Sequence, residues 1–279
     1  MSQAPQQSLG RYLRPMAIVS VATHKGGTGK TTAAFALATS LVSPRSPVLL
    51  VDGDPQANLT ARAGNDGSDD DPVDLPGLGE LLRGEATLAD VVIETQVSNL
   101  DLLPAGALVG IDPILASKPG AEMTVRQALA PLVASNAYKW IVMDSPPSQG
   151  LSVRAMLVAS DVVLATTMTA SIDSSTGVAD LMALIDALAG AGMPVGEFAG
   201  VVAMAQKKSK RAAASLDALE AWAPIAGAIS ERAVWLDAEN LREPITALIK
   251  PGTKQGDEIH AELERIKKSV SRALKRRSK

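Results

Sequence analysis

The apolar run MAIVSVAT (16–23) passes directly into a glycine-rich stretch, HKGGTGKTT (24–32), and then into an alanine-rich helical pattern, AAFALATSL (33–41). A strand, a glycine loop and a helix in immediate succession constrain a chain more than any composition does. The loop has no length to spare, so strand and helix must pack on each other as the first half of a βαβ unit. Further apolar, β-rich runs recur at 47–54, 99–106, 139–147, 161–169 and 197–205, and helical patterns fall between them at 30–42, 77–93, 123–135, 150–159 and 174–190. Strands and helices that alternate in this way predict an α/β fold with a mostly parallel central sheet, and right-handed crossovers put helices on both of its faces.

With 279 residues, 46% of them hydrophobic, the chain can build one sizeable core. The reading is a single domain over residues 16–274, a flexible N-terminal tail over 1–15 and a basic tail over 275–279. The segment 65–77, NDGSDDDPVDLPG, reads as a solvated acidic loop. There is no cysteine, which excludes disulfides, thiolate catalysis and cysteine-ligated metals. No stretch reaches the roughly 18 apolar residues of a membrane span, and the first 15 residues lack the apolar centre of a signal peptide. A soluble cytoplasmic protein is expected.

The motifs carry phosphate chemistry. Gly26, Gly27 and Gly29 stand between the strand and the helix, where glycine lets backbone N–H groups curl around phosphate oxygens at the positive end of a helix. Thr28 and Thr32 lie in the same cradle. In such sites the lysine at the loop's end, here Lys30, reaches the β- and γ-phosphates of a nucleotide, and the next hydroxyl, Thr31, ligands Mg²⁺. Two carboxylate motifs sit at the ends of later strands: VLLVDGDPQ, with Asp52 and Asp54 two residues apart on one side of an extended backbone, and WIVMDSPPS, with Asp144.

The stretch Lys25 to Thr32 fits K-G-G-x-G-K-T-T and resembles the deviant Walker A ATPases, a P-loop NTPase superfamily that includes the ParA-type (ParA/Soj) partition proteins and the MinD-type positioning proteins. D-x-D-P-Q and the apolar run followed by D-x-P-P match the family's other two motifs, and the likeness extends over about residues 16–265. It implies a three-layer αβα P-loop fold, ATP and Mg²⁺ as ligands, and hydrolysis of ATP to ADP and phosphate. It also implies that Lys25 crosses a two-fold interface to the partner subunit's nucleotide in an ATP sandwich homodimer. By the same resemblance Asp54 orients the attacking water, Asp52 supports the Mg²⁺ shell and Asp144 reaches Mg²⁺ through water. The chain departs from the family at His24, where Gln or Pro is usual, and at VVAMAQKKS (201–209), which only loosely matches the adenine-side segment. Lack of cysteine sets it apart from the iron–sulfur and thiol-ligating branches.

Charge is distributed unevenly. Residues 1–206 hold 11 Lys and Arg against 20 Asp and Glu, a balance of −9, whereas residues 207–279 hold 16 against 10, a balance of +6; together they make the net charge of −3. The basic third offers Lys207, Lys208, Lys210, Arg211, Lys250, Lys254, Lys267, Lys268, Arg272, Lys275, Arg276 and Arg277, and the expected DNA contacts are Lys207, Lys208, Lys210, Arg211, Lys250, Lys254, Lys268 and Arg272. Such charge suits a phosphate backbone, and with 3% aromatic residues there is little to stack on bases, so nonspecific duplex DNA is the expected partner. Residues 257–274 are amphipathic, with Ile259, Leu263, Ile266, Val270 and Leu274 on one stripe. That stripe is expected to pack on the domain and not to enter a membrane. The combined reading is a nucleoid-associated DNA-partition ATPase whose hydrolysis a ParB-like centromere-binding protein stimulates. The alternatives are a related ATPase that positions a cargo such as a carboxysome or a MinD-like division regulator, and a metabolic P-loop enzyme.

Overall fold

The computed structural model describes residues 16–64, 75–169, 174–205, 210–230, 234–235, 237 and 245–278. The expected tail 1–15 and residues 65–74 of the acidic loop lie outside them. Eight strands form one sheet: β1 (Ala17–Ala22), β2 (Val48–Asp52), β3 (Ile93–Glu94), β4 (Leu100–Leu103), β5 (Trp140–Asp144), β6 (Val162–Met168), β7 (Glu197–Ala205) and β8 (Ile225–Ser230). Their order is β3-β4-β2-β5-β1-β6-β7-β8, and every pairing is parallel except that of the two-residue edge strand β3 with β4. The expected α/β fold with a mostly parallel sheet is the one found.

All six residues of β1 and all five of β2 are buried, because helices cover both faces of the sheet. Successive residues serve opposite faces. Val19, Val21, Leu50 and Val142 meet α1 (Lys30–Leu41), α2 (Asn58–Ala63), α10 (Ile245–Leu248) and α11 (Lys254–Arg277). Ile18, Leu49, Val51 and Ile141 meet α3 (Leu78–Arg83), α4 (Leu88–Val91), α5 (Ile111–Ala116), α6 (Thr124–Ser135) and α7 (Leu151–Ala159). On that same side β6 and β7 pack against α7, α8 (Ser174–Gly190) and α9 (Lys210–Glu220). The three-layer αβα architecture follows from this two-sided burial.

The segment expected as one helix over 77–93 is two short helices and an edge strand. Gly84, at φ 81°, ends α3, and Thr87 starts α4, its backbone N–H donating to the Asp90 carboxylate at 2.8 Å. The sixth expected strand is followed by another, β8, whose small residues make room for α11: a Cβ at Gly227 would stand 2.7 Å from Ile266 Cγ1. The stripe Ile259, Leu263, Ile266 and Val270 of α11 is buried in the core, as expected. The helix continues through Arg277, so residues 275–277 extend it, in place of the separate basic tail expected from 275 onward. A last turn rich in Lys and Arg complements the negative end of a helix. Arg276 Nε donates to Glu197 at 2.6 Å and Arg277 Nη1 to the Val195 carbonyl at 2.8 Å, so this cluster fastens α11 beneath the sheet.

Candidate nucleotide site

The parallel register brings the motifs to one edge. β1 ends at Ala22 and leads into the glycine loop, while Asp144 pairs with Val21 on one side and with Asp52 on the other. Three consecutive strand ends in the order β2-β5-β1 thus present Asp52, Asp144 and the loop side by side. Gly27 and Gly29 take φ of 70° and 80°, a left-handed conformation that lets the chain turn into α1 without Cβ strain. Helix α1 has no acidic residue in its first turn and no side-chain cap, so its leading N–H groups and its dipole are left for an anion.

Side chains converge on the same place. Lys30 is 6% exposed, and its Nζ donates to the Lys25 carbonyl at 3.2 Å. Burial draws its ammonium below the usual lysine range, against the pull of Asp144 and Asp54. Thr31 Oγ1 donates to Asp144 Oδ2 at 2.6 Å. Asp144 is 1% exposed; burial pushes its carboxyl up to about 7, Thr31 and Lys30 oppose the rise, and Asp52 and Asp54 add to it. Its other oxygen, Oδ1, is buried without a hydrogen-bond partner. An orphaned carboxylate oxygen beside a threonine hydroxyl and a buried lysine fits a hydrated magnesium held partly by phosphate, since that ion keeps its waters and takes one or two protein carboxylates. Among the described residues no group of three or more His, Cys, Asp or Glu forms a protein-only metal cage, and such a site needs none.

The other expected residues fall into distinct roles. Thr28 Oγ1 bonds Thr166 Oγ1 at 3.0 Å and donates to the Lys25 carbonyl at 3.3 Å, so its side chain shapes the loop from within. Thr32 Oγ1 accepts from Arg62 Nη1 at 3.3 Å. Lys25 is half-buried, and its Nζ makes no hydrogen bond or ion pair among the described residues. Asp54, 7% exposed, lines a cleft of about 380 Å³ with Gln56, the N-terminal end of α5 and Pro146–Pro147, and its Oδ1 accepts from Gln56 N at 2.9 Å. Asp52 lies deeper than Asp54. It is fully buried, and its oxygens accept from Asp54 N at 3.1 Å, Thr60 N at 2.7 Å and Thr60 Oγ1 at 2.8 Å. Three of a carboxylate's roughly four acceptor positions are used within the protein. These bonds anchor α2 on β2.

Lys207 and Lys208 are outside the described residues, and Lys210 and Arg211 open α9. Lys250, Lys254, Lys268 and Arg272 are exposed, the last donating to Ser269 Oγ at 2.7 Å. Lys267 is held by the Ser40 carbonyl at 3.1 Å and by Glu264 at 2.6 Å. Sequence reasoning missed Arg265, which with Lys268, Arg272 and Lys275 makes an exposed stripe on α11; the spacing of three, four and three was visible in the sequence. It missed Arg62 as well, for which there was no signal, because α2 meets α1 only in the folded chain.

A family model described as an AAA domain matches residues 16–191. Over 190 residues the chain is 33% identical to the chromosome partitioning protein ParA of Caulobacter vibrioides, covering 67% of this chain and 69% of that one. Among solved structures, an ATP complex of Cyanothece McdA superposes with a TM-score of 0.78 at 25% identity, covering 92% of this chain and 96% of that one. The cell division ATPase MinD of Pyrococcus furiosus superposes with a TM-score of 0.67 at 26% identity, over 90% and 98% of the two chains.

Proposed function

The chain belongs to the ParA-type P-loop ATPases, and on that premise we propose that it is a DNA-partition ATPase in which ATP joins two copies into a DNA-binding dimer. The observation that carries the reading is the meeting of Lys30, Thr31 and Asp144 at the bare N-terminus of α1, with Asp54 lining a cleft close enough to act on Lys30. Lys30 and the loop N–H groups would hold the β- and γ-phosphates, Thr31 and Asp144 would hold magnesium, and Asp54 would orient the attacking water. Magnesium supplies charge neutralisation on the phosphates when bound.

Lys25 supports the dimer half of the proposal. A half-buried ammonium at the edge of the glycine loop, without a hydrogen bond or ion pair among the described residues, is available to an anion that arrives with a second chain. Closing a two-fold dimer doubles the exposed cations on one assembly, which couples ATP to affinity for a phosphate backbone. DNA binding in the ATP state places the protein on the nucleoid, and hydrolysis, stimulated by a ParB-like partner, releases it. The similarity to chromosome partitioning ParA favours this reading over cargo positioning.

Co-sedimentation with duplex DNA of unrelated sequences, with ATP, with ADP and without nucleotide, tests it. Binding is expected with ATP alone, insensitive to sequence, and lost in Lys25→Ala together with the ATP-dependent dimer. Equal binding in all three nucleotide states, or an ATP-dependent dimer of Lys25→Ala with wild-type stability, would refute it.

A further inference from the structure

Arg62 lies outside all three motifs. It sits on α2, and its Nη1 reaches back thirty positions to donate to Thr32 Oγ1 in the first turn of α1. Helix α2 is itself tied to β2, because Asp52 Oδ2 accepts from both the N–H and the hydroxyl of Thr60. Asp52 pairs in register with Asp144, and Asp144 accepts from Thr31. Taken in order, Asp52, Thr60, Arg62, Thr32, Thr31 and Asp144 close a ring that runs from two carboxylate strands through α2 to the start of the phosphate helix.

A guanidinium is costly at this point of the ring. The first turn of α1 is the positive end of a helix dipole, carries no acidic residue and already holds Lys30. Burial draws Arg62 down to about 10, with the Asp144 charge opposing the fall. A planar fork can hold a hydroxyl in one direction while its charge faces a carboxylate in another, which a lysine's point charge cannot do. We propose that Arg62 is a positioning residue of the nucleotide site: it ties α2 to α1 through Thr32 and so fixes the turn on which Lys30 and Thr31 meet phosphate and metal. This rests on the nucleotide-binding reading above.

The test compares the full-length chain with Arg62→Gln, Arg62→Lys, Thr32→Val and the Arg62→Gln/Thr32→Val double variant. ATP and ADP affinities are measured by calorimetry with Mg²⁺, kcat and KM by phosphate release, and folding by thermal melting. Hydrogen bonds to charged groups carry roughly a tenfold or larger factor in an equilibrium. Arg62→Gln is therefore expected to weaken ATP and ADP alike by about tenfold and to raise KM in step, with kcat held within about twofold. Arg62→Lys should not rescue it. The double variant should bind no more weakly than the weaker single variant, since both remove one link. Wild-type affinity in Arg62→Gln, full rescue by Arg62→Lys, or losses that multiply in the double variant would overturn the proposal. If Arg62→Gln fails to fold, Thr32→Val decides the matter, and wild-type affinity there overturns it. A wild-type chain that binds no nucleotide overturns both this inference and the function it rests on; normal wild-type binding with an unaffected Arg62→Gln overturns this inference alone.

Discussion

Asp144 concentrates the electrostatics of the site in one side chain. Its carboxyl, raised to about 7, ionises in the unfolded chain near the ordinary value of 3.8, and Asp52 is raised in the same way, to about 6. A raised carboxyl binds its proton more tightly folded than unfolded, so its contribution to stability is fully present below the unfolded value and is lost as pH rises through the folded one. The metal-free chain is therefore expected to lose stability between about pH 4 and pH 7, at no more than about 1.4 kcal/mol per pH unit for each acid. Asp144→Asn should flatten that slope in chelator-treated protein, and Mg²⁺ with ATP should restore stability at pH 8 in the wild type. Thermal melts from pH 4.5 to 8 check both; an unchanged slope in Asp144→Asn would place the titration elsewhere. Lys25, Lys30, Thr31 and Asp144 were legible as candidate site residues because each stands in a short motif whose spacing follows from strand and helix geometry. Asp52 shared its motif with Asp54, and nothing in the spacing said that Thr60 would take its oxygens.

At the scale of elements, the glycine loop and α1 behave as one unit. Gly29 is the left-handed cap of α1, and a Cβ there would lie 2.7 Å from Met204 Cγ on β7. Gly29→Ala is expected to cost about 1–3 kcal/mol of stability, from backbone strain and the displaced methionine, and to weaken ATP binding more than tenfold as the loop N–H groups turn away. Urea unfolding and ATP titration read the two effects separately. A variant with unaltered ATP affinity would show that the cap does not aim the N–H groups. The break between α3 and α4 is a different kind of element. Gly84 and the T-L-A-D pattern from Thr87 to Asp90 are readable as a helix stop and a helix start, yet the apolar periodicity across 77–93 outweighs them when the sequence is taken alone. Strand β8 is hidden because its residues, IAGAIS, are selected by the close approach of α11 and not by β-propensity.

For the whole molecule, the cations of the basic third that the structure describes divide into those that hold the fold and those that face solvent. Arg277 lies 3.4 Å from Asp161 and donates to Val195, whereas Lys268 and Arg272 are exposed on the α11 stripe. Charge reversal should separate the two groups. Lys268→Glu and Arg272→Glu are expected to leave the melting temperature within a few degrees and to weaken ATP-dependent DNA binding, with a salt dependence flatter by about 0.9 in log–log slope for each phosphate no longer neutralised. Arg277→Glu, facing Asp161 and removing a bond to backbone, should lower stability by about 1–2 kcal/mol. Salt-titrated DNA binding and thermal melts distinguish these outcomes. Wild-type affinity and slope in both stripe variants would move the DNA surface off α11.

The sequence alone determined the alternation of strands and helices, the parallel sheet and the phosphate chemistry of the loop, because each depends on relations within a few residues: period, glycine conformation and motif spacing. Tertiary structure decided what depends on residues far apart in the chain. It set Asp52 against Thr60, gave Arg62 its place at the first turn of α1, and sorted the C-terminal cations into fastenings and an exposed stripe. The physical reason is the same in each case. A charge has no role until its neighbours fix its burial and its partner, and those neighbours arrive from other strands and helices only when the sheet has formed.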